Sequence, residues 1–370
     1  MNDGAFRRIL VVVTRQIGDV LLTTPLIAAA HERWPQARID VLAFAGTAGM
    51  LRGNPAVNEV IEAPARLGFA GAWQLVKRLY RAYDLALVAQ PSDRAHLIAL
   101  VAARVRSGLV PEAGGSNWWK KALLRHAVVI QGDRGSEHVV TEKMRLLAPW
   151  LVTLPAPRIV PPAAAALPPT VQSQLGPAPV VVHAPSMWTY KQWPLEHYRA
   201  LVAGLLAAGQ QVVLTGSAGA RDQECVAALR GLGTAPALLD VSGQLDFSQL
   251  RALLDRAALY IGPDTSVSHL AAAVGVPVLA VFGPTNPQRW APWPASARGE
   301  VRFARSIPIQ HVGNVTLIQG SQACVPCGRA GCADHNDSRS DCLQSITAEP
   351  VLREALRLLA RAAPPLRATS

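Results

Sequence analysis

Short apolar runs alternate with helical patterns along most of this chain. The runs Arg8–Thr14, Ala37–Phe44 and Val57–Ala63 each have the length of one β-strand. A helical pattern occupies residues 18–35, between the first two runs, and ends at a proline. Strands that alternate with helices in this way are typical of a parallel sheet covered by helices. The pattern therefore predicts an α/β fold.

A proline-rich interval interrupts the alternation near the middle of the chain. Residues 154–179 contain PAPRIVPPAAAALPPT and GPAP, which favour an extended linker. The strand–helix pattern then restarts, and 370 residues exceed one ordinary core. We predict a first domain over 1–165, a second over 176–348 that includes a Cys-rich loop at 320–343, and a C-terminal helix and tail over 349–370.

The overall composition is that of a globular protein. Half of the residues are hydrophobic and 16% are charged, which argues against a largely disordered chain. The apolar run Ile9–Val13 is too short for the core of a signal peptide. No stretch approaches the roughly 20 apolar residues of a membrane-spanning helix. We therefore expect a cytoplasmic protein.

Positive charge is in excess and is concentrated in one region. The formal net charge is +11, and residues 66–134 contain eleven Lys and Arg against four Asp and Glu. This excess favours acidic partners, but the sequence lacks zinc-finger spacings and aromatic RNA-binding motifs. We therefore expect an anionic substrate or membrane face as partner, and no nucleic acid.

Within the basic region, residues 116–129 place two tryptophans, Trp118 and Trp119, among cations. Neighbouring Trp and Lys or Arg side chains suit a membrane interface, although an ordinary half-buried surface helix has the same pattern. The sequence thus predicts peripheral contact with a membrane surface. The candidate cations on the acceptor side are Arg78, Arg81, Lys120, Lys121 and Arg125.

The stretch 257–287 predicts a strand, a sharp turn, a helix and a second strand. The helix runs to about Val274, Gly275 supplies a left-handed stop, and Asp264 is a candidate N-cap. A helix that starts at the carboxyl end of a parallel strand offers free N–H groups and a positive dipole end, which suit a phosphate. The polar residues at this turn are Asp264, Thr265, Ser266, Ser268 and His269.

Four segments occur in the order and spacing of one known family: IGDVLLTTPLIAAAHERWPQARIDVLAF, YKQWPLEHYRALV, VVLTGSAGARDQE and GPDTSVSHLAAAVGVPVLAVFGPTNP. Together they resemble glycosyltransferase family 9, the ADP-heptose:lipopolysaccharide heptosyltransferases, over most of residues 7–345. The resemblance implies the GT-B fold, with two Rossmann-like doubly wound domains that face an interdomain cleft. It also implies an ADP-heptose donor, a lipopolysaccharide inner-core acceptor and a place at the cytoplasmic face of the inner membrane.

Other functions remain open from the sequence. A nucleotide-dependent oxidoreductase needs a glycine-rich fingerprint after a strand, and residues 15–19 do not supply one. A sugar-nucleotide epimerase, a family member with another donor or acceptor, and a non-catalytic binding protein of the same fold are the alternatives.

The resemblance assigns two catalytic residues. Inverting transfer needs a base that removes the proton of the acceptor hydroxyl, and this role maps onto Asp19, where Gly18 allows close backbone approach. The alternative is an aspartate that only caps the next helix. Lys191 matches the lysine beside the phosphates, where a cation stabilises the leaving diphosphate, or it is an ordinary solvated lysine. No metal cofactor is expected for catalysis.

The remaining matches concern binding of the nucleotide sugar. Asp222 and Glu224 compete for one acidic position after the GSA turn, and His269 is alternatively a core histidine. The predicted substrate-binding residues are Gly18, Ser186, Thr189, Asp222, Glu224, Asp264, Thr265, Ser266 and His269.

Four of the five cysteines lie in one segment, at Cys324, Cys327, Cys332 and Cys342. A Cys-x-x-Cys pair followed by two more cysteines suits a tetrahedral thiolate site, and a cytoplasmic location disfavours disulfides. The spacing predicts a structural zinc or iron site. Free thiols on a loop, or one ligand replaced by His335, are the alternatives.

Overall fold

A computed structural model describes the protein over residues 6–64, 66, 68–112, 117–297, 299 and 301–362. The chain divides into two compact units, the first formed by Met1–Ala163 with Ala297–Glu300 and the second by Ala164–Ser296 with Val301–Ser370. The division between Ala163 and Ala164 lies within the proline-rich interval. Residue 116 of the Trp-containing segment and the tail 363–370 lie outside the described residues.

The first unit is built on a sheet of six parallel strands. Its strands are β1 Arg8–Val13, β2 Arg38–Phe44, β3 Glu59–Ala63, β4 Tyr83–Val88, β5 Ala103–Pro111 and β6 His126–Ile130. Its helices are α1 Ile17–Leu21, α2 Thr24–Arg33, α3 Phe69–Leu79, α4 Asp93–Ala102, α5 Trp118–Leu123 and α6 Val139–Met144, with 3₁₀ turns at Ala48–Leu51, Gly132–Arg134 and Arg145–Trp150.

The strand order of this sheet is β3-β2-β1-β4-β5-β6. The chain therefore winds outward from β1 to β3, returns to β4 beside β1, and then winds the other way. Residues Ile9–Val13 of β1 and Leu85–Val88 of β4 are continuous buried apolar runs because parallel strands are covered on both faces. Their carboxyl ends flank the point where the winding direction reverses, the usual ligand position in doubly wound sheets.

The single helix predicted over residues 18–35 is wrong, because the chain forms two helices there. Helix α1 ends at Leu21 and α2 begins at Thr24. Pro25 lies in the first turn of α2, and its ring would clash with the carbonyl group of residue 21 in a continuous helix. The break leaves α1 as a short helix directly after β1.

The second unit is built on a seven-stranded sheet. Its strands are β7 Val180–His183, β8 Val212–Thr215, β9 Leu238–Asp240, β10 Leu259–Pro263, β11 Val278–Phe282, β12 Ile309–Val312 and β13 Val315–Gln319. Its helices are α7 Pro169–Gln172, α8 Leu195–Ala207, α9 Ala220–Arg230, α10 Phe247–Leu254, α11 Ser266–Val274, α12 Pro287–Trp290, α13 Asp341–Gln344 and α14 Ala348–Ala362, with a 3₁₀ turn at Thr189–Lys191.

The strand order of the second sheet is β12-β13-β11-β10-β7-β8-β9, and only β12 is antiparallel to its neighbour. The winding reverses between β7 and β10, so the second switch point lies at their carboxyl ends. Helix α14 packs against α8, where Gly204 makes room for Leu352. The predicted α/β class is confirmed in both units. Among the described residues, no helix combines the length and apolar character needed to span a bilayer.

Candidate active site

Asp19 lies just after β1, in the first turn of α1. Gln16 is the N-cap of this helix and Gly18 precedes Asp19 inside it, so the capping alternative for Asp19 is wrong. The Asp19 side chain is 11% exposed, and its two oxygens face two different cations. The carboxylate therefore lies at the switch point of the first sheet.

Arg15 and Lys143 are the cations beside Asp19. Arg15 Nε lies 3.4 Å from one carboxylate oxygen, and Lys143 Nζ lies 3.8 Å from the other. Lys143 also donates to the Asp19 carbonyl oxygen at 2.9 Å and to the Thr23 hydroxyl at 3.0 Å. Burial lowers the pKa of Lys143 to about 8, and the nearby Asp19 carboxylate opposes this shift. An amine from α6 thus holds α1 and its carboxylate in place.

Sequence reasoning missed both cations. The four-residue spacing of Arg15 and Asp19 is a signal that could have found the first. Lys143 is 124 residues from Asp19, so no local pattern could have found the second.

In the second unit, Lys191 forms an ion pair with Asp264, with 2.6 Å between Nζ and Oδ2. Lys191 ends the 3₁₀ turn after β7, and Asp264 directly follows β10, so the pair spans the second switch point. Burial alone would raise the pKa of Asp264, but Lys191 and His269 outweigh it, and the pKa lies below its ordinary value. The alternative that Lys191 is an ordinary solvated lysine is therefore wrong.

Helix α11 begins at Ser266, with Thr265 as its N-cap. The prediction that Asp264 caps this helix is wrong, because Asp264 lies one residue earlier and binds Lys191. The Thr265 side chain makes no capping hydrogen bond. The first turn of any helix has N–H groups without intrahelical partners, so this end of α11 can donate to a hydrogen-bond acceptor. The helix ends at Val274 and Gly275 is left-handed with φ of 100°, as predicted.

Two buried histidines lie at the carboxyl ends of the strands of this unit, one in α11 and one at the end of β7. His269, in the first turn of α11, contributes to the lowered pKa of Asp264. His183 ends β7, and its Nδ1 lies 3.1 Å from the Thr215 hydroxyl at the end of β8. Burial lowers the pKa of His183 to about 4, so the ring is neutral at neutral pH. Sequence reasoning missed His183, although its position at the carboxyl end of an apolar strand was a usable signal.

The loop between β7 and α8 carries two further predicted residues. Ser186 is buried, and its hydroxyl accepts the Trp188 N–H at 3.4 Å. The Thr189 hydroxyl accepts from Arg221 at 2.5 Å. Both side chains thus shape the segment that ends in Lys191.

Asp222 and Glu224 differ in their surroundings. Asp222 accepts the Ser217 N–H at 2.7 Å and acts electrostatically on His183, so it faces the ends of β7 and β8. Glu224 is exposed on α9. Asp222, rather than Glu224, therefore lies at these strand ends.

Residues 72–306 match the model of glycosyltransferase family 9 (heptosyltransferase). This chain belongs to glycosyltransferase family 9. A lipopolysaccharide heptosyltransferase 3 from Escherichia coli is 31% identical over 293 residues, which cover 75% of this chain and 83% of that protein. The predicted family is therefore confirmed, and the chain is a glycosyltransferase rather than an oxidoreductase.

Solved structures of family members share the fold of this family 9 enzyme. The structure of Escherichia coli ADP-heptose lipopolysaccharide heptosyltransferase II has a TM-score of 0.69 at 22% identity and covers 96% of this chain and 99% of its own. The structure of the Escherichia coli heptosyltransferase WaaC with ADP has a TM-score of 0.69 at 20% identity. This match covers 95% of the present chain and 99% of the WaaC chain. The predicted GT-B class, with two Rossmann-like units, is confirmed.

The predicted metal site in the Cys-rich segment of this family 9 enzyme is not supported by the arrangement of its side chains. Cys324, Cys327 and Cys332 are exposed, Cys342 is buried, and all four are free thiols. Among the described residues, no group of three or more His, Cys, Asp or Glu side chains is arranged to hold a metal ion. Burial raises the pKa of the Cys342 thiol to about 12, and Cys327, Cys332 and Cys324 act on it in the same direction.

The segment instead supports the turn that carries Lys191. The Thr189 N–H donates to the Asn336 carbonyl oxygen at 3.0 Å, and the Ser340 hydroxyl donates to the Tyr190 carbonyl oxygen at 2.7 Å. The Cys-rich segment is therefore a structural neighbour of the candidate site.

The segment around α5, which the sequence predicted to contact a membrane, is more buried than that role requires. Lys120 is buried and its Nζ lies 2.5 Å from Asp93 Oδ1, so this cation cannot reach a membrane surface. Trp119 is half-buried beside the His96 ring, and only Trp118 of the two tryptophans is strongly exposed. The alternative of a half-buried surface helix fits α5 better.

Proposed function

We propose that this family 9 glycosyltransferase moves heptose from ADP-heptose to the inner core of lipopolysaccharide, with inversion at the anomeric carbon. The heptosyltransferase family match and the names of the relatives support the sugar and the acceptor. The two similar structures, an ADP-heptose lipopolysaccharide heptosyltransferase and a heptosyltransferase with ADP, support the donor.

The Lys191–Asp264 pair beside the start of α11 carries this proposal. An ammonium group has three N–H donors, so Lys191 can keep Asp264 and still donate to a phosphate oxygen. The N-terminal end of α11 adds N–H groups and a positive dipole end on the same side of the sheet. This arrangement suits a nucleoside diphosphate, whose negative charge grows as the sugar leaves, and the mechanism needs no metal ion.

Asp19 is the general base in this mechanism. Its carboxylate accepts the proton of the acceptor hydroxyl while the hydroxyl oxygen forms a bond to the anomeric carbon. The bond from that carbon to the β-phosphate oxygen breaks, and ADP leaves with the electron pair. Lys143 and Arg15 compensate the Asp19 charge and hold the side chain in one orientation.

A panel of nucleotide sugars tests this function directly. Purified protein is incubated with ADP-heptose, ADP-glucose, GDP-mannose or UDP-glucose and with lipopolysaccharides truncated at successive core sugars, and products are identified by mass. We expect addition of one heptose from ADP-heptose only, with the opposite anomeric configuration by NMR.

Other outcomes select the alternatives. Transfer from a different nucleotide sugar would assign another donor within the family. Conversion of the nucleotide sugar without acceptor would favour an epimerase, and ADP-heptose binding without any turnover would leave a binding protein of this fold.

A further inference from the structure

Helix α3 exposes a row of large apolar side chains that its fold does not use. Phe69, Trp73, Val76 and Tyr80 are 91%, 55%, 37% and 63% exposed. Phe69, Trp73 and Val76 lie within α3 at spacings of four and three residues, which place them on one flank of the helix, and Tyr80 directly follows the last residue of the helix. We call these four residues the α3 stripe. Single exposed apolar residues are normal, but a contiguous row of this kind marks an interaction surface.

The stripe is separate from the flank of α3 that faces the core. Leu79 is buried, and Leu75 packs against the core of the first unit with it. The helix therefore already has its inward anchor, and the stripe is additional apolar surface. Helix α4, which packs against α3, also exposes two apolar residues, Leu97 and Leu100, at 51% and 38%.

The charges around the stripe identify its partner as anionic. Residues 66–82 contain four cations, Arg66, Lys77, Arg78 and Arg81, and no acidic residue. The Lys77 ammonium group lies over the Trp73 ring, 5.6 Å from its centroid, and the Arg81 guanidinium group lies over the Tyr80 ring, 5.7 Å from its centroid. Glu59 on β3 pairs with Arg78 and leaves the other three in excess. A second copy of this face would bring like charges together.

We propose that the α3 stripe rests on the surface of a bilayer containing anionic lipids. Trp and Tyr rings prefer the boundary between headgroups and acyl chains, and Lys and Arg side chains beside them bind anionic headgroups. The α3 stripe thus takes the membrane-binding role that the sequence predicted for the segment around α5, where Lys120 is buried. The inference deepens the proposed function, because the acceptor of that function is itself a membrane lipid.

Vesicle co-sedimentation with the full-length protein tests the surface. Wild-type protein should bind vesicles of phosphatidylcholine with phosphatidylglycerol, and salt should weaken the binding. The triple variant F69Q/W73Q/Y80Q should lose about tenfold or more in affinity. The double variant K77E/R81E should lose about fivefold per charge on anionic vesicles and little on pure phosphatidylcholine.

Trp118→Gln is the matched control, since Trp118 is a 72% exposed tryptophan outside the stripe. It should bind vesicles within about twofold of wild type. The triple variant and Trp118→Gln should keep the thermal midpoint and the transfer rate on a deacylated, water-soluble acceptor, because the altered residues are exposed. K77E/R81E should keep the thermal midpoint.

Three results would overturn the proposal: no vesicle binding by wild type, equal binding by the triple variant, or loss of binding in Trp118→Gln alone. A wild-type dimer that the triple variant turns into a monomer, without a change in vesicle binding, would assign the stripe to a second copy instead. Failure of the proposed function is a separate outcome, because it would appear as vesicle binding without sugar transfer to the soluble acceptor.

Discussion

Each unit of this protein has an aspartate–lysine pair at the switch point of its sheet, but the exposure of the partners is reversed. In the first unit the Asp19 side chain is 11% exposed and Lys143 only 4%. In the second unit Lys191 is 24% exposed and Asp264 only 6%. The first unit therefore presents the carboxylate, and the second presents the ammonium group.

The reversal teaches how one architecture supports two tasks. A carboxylate that is accessible and supported by a buried amine can accept a proton. An ammonium group that is accessible and supported by a buried carboxylate can bind a phosphate. In each pair, the more buried side chain orients the more accessible one. It also balances the charge of that side chain, which has little contact with water.

The largest expected effect is that of Asp19→Asn. An amide cannot take the proton from the hydroxyl group of the acceptor substrate. The kcat should therefore fall about a thousandfold, while the Kd for ADP changes less than about twofold. Transfer assays and calorimetry measure the two quantities. Glu32→Gln, an exposed carboxylate on α2, is the matched control and should behave as wild type. An Asp19→Asn enzyme with nearly full activity would remove Asp19 as the base.

The next effect concerns the accessible ammonium group. Lys191→Met should lower kcat/KM for the donor about a hundredfold, because a cation is lost where charge develops on the leaving diphosphate. It should also cost about 1–3 kcal/mol of unfolding free energy, because the buried Asp264 loses its ion-pair partner and keeps only weaker contacts.

A double variant separates these two consequences. Lys191→Met combined with Asp264→Asn removes the unpaired charge and should recover stability without recovering ADP affinity. Lys121→Met, at an exposed lysine, should leave both unchanged. If the double variant binds ADP as tightly as wild type, Lys191 has no role at the diphosphate.

A smaller effect is expected for the buried amine of the first unit. Lys143→Met should lower kcat about tenfold at neutral pH, within the range that small displacements of a reacting group cost. The pKa of Lys143 is about 8, so the group is charged below this pH and neutral above it. The wild-type rate should therefore fall as pH rises through about 8.

The pH–rate profile distinguishes positioning from a purely structural role. Lys143→Met should lack the decrease near pH 8, because its side chain is neutral at every pH, whereas Lys121→Met should keep it. A decrease that persists in Lys143→Met would assign that step to another group.

The smallest effect distinguishes Asp222 from Glu224. Asp222→Asn should raise the donor KM about fivefold, because it weakens the hydrogen bond that holds Ser217 and removes charge beside His183. Glu224→Gln should change KM less than about twofold. The opposite ranking would assign the acidic position to Glu224.

The local sequence alone determined the architecture. Apolar runs such as Arg8–Val13 and Val180–His183 are strands because parallel strands need apolar side chains on both faces. Gly275 ended α11 as predicted, because it adopts a left-handed conformation there. Asp19 and Lys191 were singled out by the resemblance to family motifs, and Asp264 by its place at the turn between a strand and a helix.

Tertiary structure decided which partners these residues have. Lys143 joins Asp19 across 124 residues, and Asp264 binds Lys191 rather than capping its own helix. Burial of Lys120 and exposure of the α3 stripe likewise depend on how helices pack on the first sheet. Spacing within a sequence reports periodicity along one element, but the burial and pairing of a charge depend on residues that only folding brings close.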